Sequence, residues 1–337
     1  ITEARRFQKL AGIITESQIN KVKSLYEQPE ANSNKSLKVD SMVGFPVREF
    51  IVTVNLEDGS NDDAEFLPSA KNTWNSIRYM EKLKHIREVL NTAEKPLIAG
   101  FCEIENAEVV RDIYMNQKDF KSYALVHHDS KDARGIDVAM IYDKSKLTLV
   151  SDGIIRFVLP GDSLPSSRDI LWAKFKYKKE MLFVMVNHWP SRRSGTDVSE
   201  AKRVKAAECA DRFIDSLMKQ DQNVKIIFMG DLNDYPSDKA PKIIESKLIP
   251  MIIKSSGEFG GTYNYQGQWE IMDHIFVSTG LSTGKIKVVP SSGKIYSPAF
   301  LLDKYKGNIV PFRTYGGANY LGGYSDHLPV SISISLK

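Results

Sequence analysis

Two apolar runs limit the architecture more than any other feature of the chain. They are Met181-Leu182-Phe183-Val184-Met185-Val186 and Val224-Lys225-Ile226-Ile227-Phe228. The first is apolar at every position, so it cannot alternate between core and water and must be covered on both faces. Each run stops in polar residues, Asn187-His188-Trp189-Pro190 after the first and Met229-Gly230-Asp231-Leu232-Asn233-Asp234 after the second. A buried strand that ends this way delivers polar groups to its C-terminal rim, where the backbone is stiff enough to hold them to catalytic tolerance. Taken by itself, Gly-Asp-Leu-Asn-Asp is a turn, because Gly, Asp and Asn are what turns favour. The recurrence of such clusters along the chain argues for a site.

Residues 1–28 show helical spacing (Leu10, Ile13, Ile14, Ile19, Val22, Leu25) and the polar stretch 28–36 reads as a linker, so 1–45 is an extension and 46–337 one domain. Strands are predicted at Arg48–Asn55, Pro96–Cys102, Ser122–His128, Ile136–Tyr142, Leu147–Ser151, Ile170–Tyr177, Met181–Asn187, into Asp231, Met272–Val277 and Val330–Leu336. Long helices are predicted from about Thr73 and over about 198–219. Strands in meanders separated by a few long helices imply two packed sheets with helices outside.

At 337 residues and 42% hydrophobic, the chain can bury a large core. Its net charge of +4 suits an anionic substrate but falls short of a dedicated nucleic-acid binder, and no basic, aromatic-interleaved groove is evident. The two cysteines, Cys102 and Cys209, make no disulfide framework and read as small buried hydrophobes. No apolar run approaches the roughly 18 residues of a membrane span. The chain begins at Ile1, and a removed export signal ahead of it, with a periplasmic or secreted protein as the result, is one expectation. A monomer is expected.

The strand-end clusters are Glu103, Asp137, Asn187-His188, Asp231/Asn233 and Asp273, with Asp326-His327 before the last strand. Carboxylates with amides and few cysteines suit a hard divalent ion, Mg²⁺ or Mn²⁺, rather than zinc. Such an ion with two histidines and arginines is what phosphoester cleavage needs. No Walker loop or dinucleotide glycine fingerprint competes. Gly230-Asp231-Leu232-Asn233, Asn187-His188-Trp189-Pro190, Met272-Asp273-His274-Ile275-Phe276-Val277-Ser278 and Ser325-Asp326-His327-Leu328-Pro329 stand in an order and spacing that resembles the endonuclease/exonuclease/phosphatase superfamily. That group includes deoxyribonuclease I, apurinic endonucleases, neutral sphingomyelinases and inositol polyphosphate 5-phosphatases. The likeness extends to Arg134-Gly135-Ile136-Asp137-Val138-Ala139 and Arg313-Thr314-Tyr315-Gly316-Gly317, hence over about 48–337.

The resemblance implies an α+β fold, a four-layer α/β/β/α sandwich of two mixed, mainly antiparallel sheets with outer helices. It implies a divalent-metal-dependent phosphoesterase, nuclease-like, with a lipid or sugar phosphodiesterase or phosphatase of the same fold as the alternative. By motif, Glu103 is the principal metal ligand, with Asp326 and Asn55 on the metal side. Asp231 positions or deprotonates the attacking water, and Asn233 touches phosphate and metal. His327, oriented by Asp273, and His188 serve the phosphate. Arg168, Arg134 and Asn187 bind phosphate. Alignment of the two strands suggests Asp137 as the carboxylate that orients His188. One position departs from the pattern: Val52 stands where relatives carry a metal-side asparagine, while Asn55 matches a second one. Valine cannot coordinate, which motivates a second reading, a binding protein that kept the fold and lost turnover.

Plainer roles stand beside these. Glu103 also suits a helix N-terminus. His188 suits a turn, and His85, His127 and His128 read as structural or exposed. The basic run Arg192, Arg193, Lys202, Arg203, Lys205 reads as a solvated helix face. Asp62, Asp63 and Glu65 lack the glycine and terminal glutamate of a calcium loop.

Overall fold

In the computed structural model the described residues are 74–92, 95–115, 117–132, 134–165, 167–192 and 199–337, with 48–55 and 196–198 described as backbone only. The expected extension over 1–45 lies outside them. The elements run β1 (Arg48–Asn55), α1 (Ser76–Thr92), β2 (Ile98–Ile104), α2 (Ala107–Tyr114), β3 (Tyr123–His127), β4 (Asp137–Asp143), β5 (Thr148–Ile155), β6 (Ile170–Tyr177) and β7 (Glu180–His188). Next come α3 (Thr196–Gln220), β8 (Lys225–Asp231), α4 (Lys239–Glu245), β9 (Ile249–Pro250), β10 (Tyr263–Tyr265), β11 (Gln268–Glu270) and β12 (Asp273–Val277). The chain closes with β13 (Ile286–Val288), β14 (Lys294–Ile295), β15 (Leu302–Tyr305), β16 (Asn308–Pro311), β17 (Tyr315–Gly316), β18 (Asn319–Tyr320) and β19 (Val330–Leu336).

One sheet has the order β13-β19-β1-β2-β4-β3, with β14 also on β19, and the other β5-β6-β7-β8-β12-β9. Only β1/β2 and β7/β8 are parallel within these sheets. A parallel pair needs a long crossover, and here the crossovers carry α1 and α3. Helix α3 turns Ala206, Ala207, Ala210, Ile214 and Leu217, at helical spacing, onto Met185, Phe228 and Phe276 of the second sheet. On the far side, Leu83, Ile86 and Leu90 of α1 join Val110 and Ile113 of α2 in the core of the first sheet. Each of these fully buried large side chains stabilises by roughly 1.5–3 kcal/mol. The expected four-layer sandwich of mixed, mainly antiparallel sheets is observed.

Between the sheets, β2 alternates faces as a strand must. Gly100 points at the second sheet, where a Cβ would stand 2.8 Å from Met229 Cε and 3.1 Å from Val186 Cγ2. Cys102, fully buried, donates its thiol to the Asn187 carbonyl at 3.3 Å. The missing side chain at Gly100 thus lets the sheets close just behind the strand ends. Strand β8 is buried throughout, and β7 is buried from Val184 to His188. The short hairpins β10–β11 and β15–β16 and helix α4 were not predicted, because three to seven residues are too few for periodicity to show. Among the described residues, no helix is long and apolar enough to cross a membrane.

Candidate active site

Strand register builds the site. Parallel pairing sets His188 opposite Asp231, and antiparallel pairing sets Asp231 opposite Asp273, so three strand ends stand in a row. Gly230 makes this possible. Its φ is +137°, and a Cβ there would overlap the Asn187 carbonyl of the neighbouring strand. From the other sheet comes Glu103, at a bulge where the β2/β4 register jumps from Cys102 to Ile104 and φ is +58°. A bulge re-aims a side chain, and this one brings Glu103 Oε1 to 3.8 Å from His188 Nε2. Asp231 Oδ2 lies 3.8 Å from the same nitrogen. His327 reaches in just ahead of β19, its Nδ1 donating to Asp273 Oδ2 at 2.7 Å. Potential ligand atoms of Asp231, Asp273 and His327 all lie within 4.8 Å of one another.

Asn233, also left-handed at φ +50°, donates its amide to Asp231 Oδ2 at 3.2 Å and to the Trp189 carbonyl at 3.0 Å. Its backbone N–H donates to Asp231 Oδ1 at 2.8 Å. Non-glycine residues in this conformation cost of order 1–3 kcal/mol and gather at functional sites; Glu103 and Asn233 are two of them. Glu103, His188, Asp231, Asn233, Asp273 and His327 thus come together at one rim.

The two histidines are driven to opposite states. Burial works against a cation at His327, yet Asp273 and Asp231 outweigh it and hold the imidazole well above its ordinary value. Burial, then the charges of Arg168, Arg134 and His327, hold His188 well below it, so His188 is neutral. Burial and the nearby Asp273 push Asp231 up to about 7, against the pull of His327. Groups whose environments push their pKa values apart are the mark of divided acid and base roles.

Four expectations are corrected. Asp137 does not orient His188: its carboxylate accepts from His127 Nε2 at 2.9 Å and from the Ser130 N–H at 2.8 Å. Arg168, 6% exposed, is turned inward rather than toward a ligand. It donates to the carbonyls of His188 (3.2 Å) and Trp189 (2.8 Å) and to Asp132 (2.7 Å), clamping the β7 exit. Asn187 is fully buried on the opposite face of β7, between the Met229 carbonyl (3.2 Å) and the Trp189 indole N–H (3.3 Å). Arg203 is no solvated cation; it is fully buried with its Nε 2.7 Å from Asp234.

Arg192 bridges Asp234 at 2.9 Å and Asp238 at 2.7 Å, so this ionic network pins the β7 and β8 exit loops together. Arg134 pairs with Asp132 at 3.4 Å and contributes charge at His188. Asp326 stands 3.7 Å from Arg313 and favours the His327 cation. The side chains of Val52 and Asn55 lie outside the described residues, as do Asp62, Asp63, Glu65 and Arg193. Sequence reasoning gave no role to Tyr263 or Arg313. The Tyr263 ring packs 4.9 Å from the His327 ring, and its hydroxyl is hydrogen-bonded by Arg313.

The donor set fits a hard divalent cation. Carboxylates of Glu103 and Asp231 converge on one imidazole, and His188 Nδ1 is buried without a hydrogen-bond partner. Burial, with Asp273 beside it, raises the Asp231 carboxyl, and a cation bound there would offset that cost of holding a buried carboxylate.

Two facing sheets with carboxylates, an amide and a carboxylate–imidazole pair at one rim define a phosphoester hydrolase fold. The chain belongs to the Endonuclease/Exonuclease/phosphatase family, which matches residues 45–336, and whose members generally use divalent metals. No curated protein matches the chain in sequence. Solved structures similar in fold include the human Nocturnin catalytic domain with a bound sulfate anion, at 16% identity and TM-score 0.57 over 87% of this chain and 97% of that one. A Bacteroides thetaiotaomicron mannosyl-6-phosphatase aligns at 15% identity and TM-score 0.55 over 86% of this chain and 100% of that one. D. rerio TDP2 complexed with a single strand DNA product aligns at 14% identity and TM-score 0.55 over 86% and 99%.

Proposed function

We propose that the protein is a divalent-metal-dependent phosphodiesterase that attacks phosphorus with an activated water, with nucleic acid first among its substrate classes. The observation that carries this reading is the convergence of Glu103, His188 and Asp231 with the Asp273–His327 pair, whose hydrogen bond is 2.7 Å. In its ionised form Asp231 accepts the proton of the attacking water. The imidazolium of His327, oriented through Nδ1 by Asp273, presents its other nitrogen to the phosphate and protonates the leaving oxygen. Neutral His188 has one N–H to offer a non-bridging oxygen, and the Asn233 amide stands beside Asp231 to do the same. Mg²⁺ or Mn²⁺ held by Glu103 would polarise a non-bridging oxygen and offset the charge that develops there.

Nucleic acid is placed first because the chain is net positive, at +4, and because one fold relative was crystallised with a single strand DNA product. The mannosyl-6-phosphatase relative keeps sugar phosphates as the second class. The test is cleavage of plasmid and of bis-p-nitrophenyl phosphate with Mg²⁺ or Mn²⁺, by wild type and by the Asp231→Ala and His327→Ala variants. Each variant is expected to lose at least about a thousandfold in turnover; losses below about tenfold in both would overturn the roles. Val52 in place of a metal-side asparagine favours one other reading, a binding protein without turnover. Calorimetric titration with Mn²⁺ separates the two, since a site with no measurable metal affinity supports the binding role.

A further inference from the structure

The sequence shows no aromatic-lined basic groove, but the fold brings aromatic and cationic side chains together beside His327. Tyr263 opens the hairpin β10–β11, packs its ring 4.9 Å from the His327 ring, and carries Arg313 on its hydroxyl. Residues two apart on a strand share a face, about 7 Å apart. Tyr265 therefore stands on the Tyr263 face of the same hairpin, one such step from the site, and is 60% exposed.

The second hairpin leans on the tip of the first: a Cβ at Gly267 would stand 3.3 Å from the Asn308 side-chain amide. Tyr305 is the cross-strand partner of Asn308, so it shares that face, and it is 62% exposed. The ammonium of Lys306 lies 5.2 Å from the Tyr305 ring centroid. An imidazole and two phenols thus share the β10 side, and a third phenol stands on the hairpin that touches its tip, with a guanidinium at Tyr263 and an ammonium at Tyr305. Carboxylates are also near: Glu270 shares the Tyr263 face and Asp303 the Tyr305 face. The strip is therefore no simple electrostatic track, and its distinguishing content is exposed ring surface with cations at its ends.

We propose that this strip binds single-stranded nucleic acid, with a base next to the scissile phosphate stacked on Tyr265 and a further base on Tyr305. The proposal rests on the phosphodiesterase reading, which sets a phosphate at His327. Planar bases offer a π-face to each phenol whatever their sequence, and the strand phosphates meet Arg313 and Lys306. A sugar or lipid phosphate has no planar group with which to use Tyr265 and Tyr305.

The test uses the full chain carrying Asp231→Asn, with Mg²⁺ present, so that Glu103 stays and turnover is suppressed. Fluorescence anisotropy compares a labelled single-stranded thymidine octamer with an abasic octamer of the same charge. Removing one stacking ring is expected to weaken octamer binding by roughly fivefold to 150-fold. Tyr265→Ala and Tyr305→Ala should each show that loss for the thymidine octamer and little for the abasic one, while Tyr265→Phe should keep wild-type affinity. Equal affinity of the parent protein for the two octamers, no octamer binding at all, or alanine variants that bind as the parent does would each overturn the strip. Turnover of bis-p-nitrophenyl phosphate by wild type reports on the phosphodiesterase reading separately. If that turnover is present without base-dependent binding, the strip alone fails; if it is absent for every diester tried, the reading beneath it fails.

Discussion

Replacing Asp273 by Asn removes one negative charge from the site and almost no volume. Asp273 is 2% exposed and its Oδ2 lies 2.7 Å from His327 Nδ1. A hydrogen bond to a charged partner contributes about 1.5–3 kcal/mol, which corresponds to roughly 10- to 150-fold in kcat/KM. If the new amide turns its NH₂ to the ring, the imidazole is forced into the wrong tautomer, a change that costs about 10⁴-fold in a serine-protease triad. The expected loss therefore lies between about tenfold and about 10⁴-fold. A second signature is the pH profile. Asp273 is, after the opposing effect of burial, the largest influence on His327 and holds its imidazole well above the ordinary value. Without Asp273 the proton is held less tightly, so the limb along which activity falls with rising pH should move to lower pH. Stability carries the same sign: a group raised in the folded state contributes fully below its unfolded pKa and loses that contribution as pH rises through the folded one. The destabilisation of Asp273→Asn should accordingly be greatest below about pH 6.5 and shrink as pH rises. Steady-state hydrolysis of bis-p-nitrophenyl phosphate across pH, with thermal melts of the same samples, reads all three. A loss under about threefold with an unmoved alkaline limb would refute the pairing of Asp273 with a working imidazolium.

Other expectations follow from the same geometry. Burial and neighbouring cations keep His188 neutral, so the unfolded chain binds a proton that the folded one refuses, and stability falls as pH drops below about 6.5, by up to about 1.4 kcal/mol per pH unit. His188→Gln should flatten that acid-side decline in thermal melts; an unchanged slope sinks the assignment. Gly230→Ala meets both a left-handed φ of +137° and the Asn187 carbonyl, and should cost roughly 3 kcal/mol or more in urea unfolding. A cost under about 1 kcal/mol would mean that the two strands are not so closely apposed there. Arg203→Met leaves the carboxylate of Asp234 buried beside one guanidinium fewer, for about 3–5 kcal/mol, and the double variant with Asp234→Asn should recover at least half of it. Failure of the second substitution to rescue would show that the pair is not energetically coupled.

The strand ends were legible in the sequence because strand physics is local. An apolar run that halts at Asn187-His188 or Gly230-Asp231 announces a rim, and Glu103, His188, Asp231, Asn233, Asp273 and His327 do meet. Alternation also separates Asn187 from His188, since neighbours on a strand face opposite ways; only His188 reaches the site. Partner choice was not local. Whether Asp137 serves His188 or His127 depends on how β3 and β4 pair, and that register puts His127 beside it. Arg168 and Arg203 read as ordinary cations until the fold buries one against three oxygens and the other against Asp234.

What the sequence determined by itself was the succession of strands and helices and the chemistry waiting at each strand end, because periodicity and residue type act over a few neighbouring positions. The tertiary structure alone decided which carboxylate meets which imidazole, which arginines are locked inside, and that the hairpin carrying Tyr305 touches the one carrying Tyr263 and Tyr265. Those outcomes depend on sheet register and on two hairpins touching, both set by contacts between residues far apart in the chain.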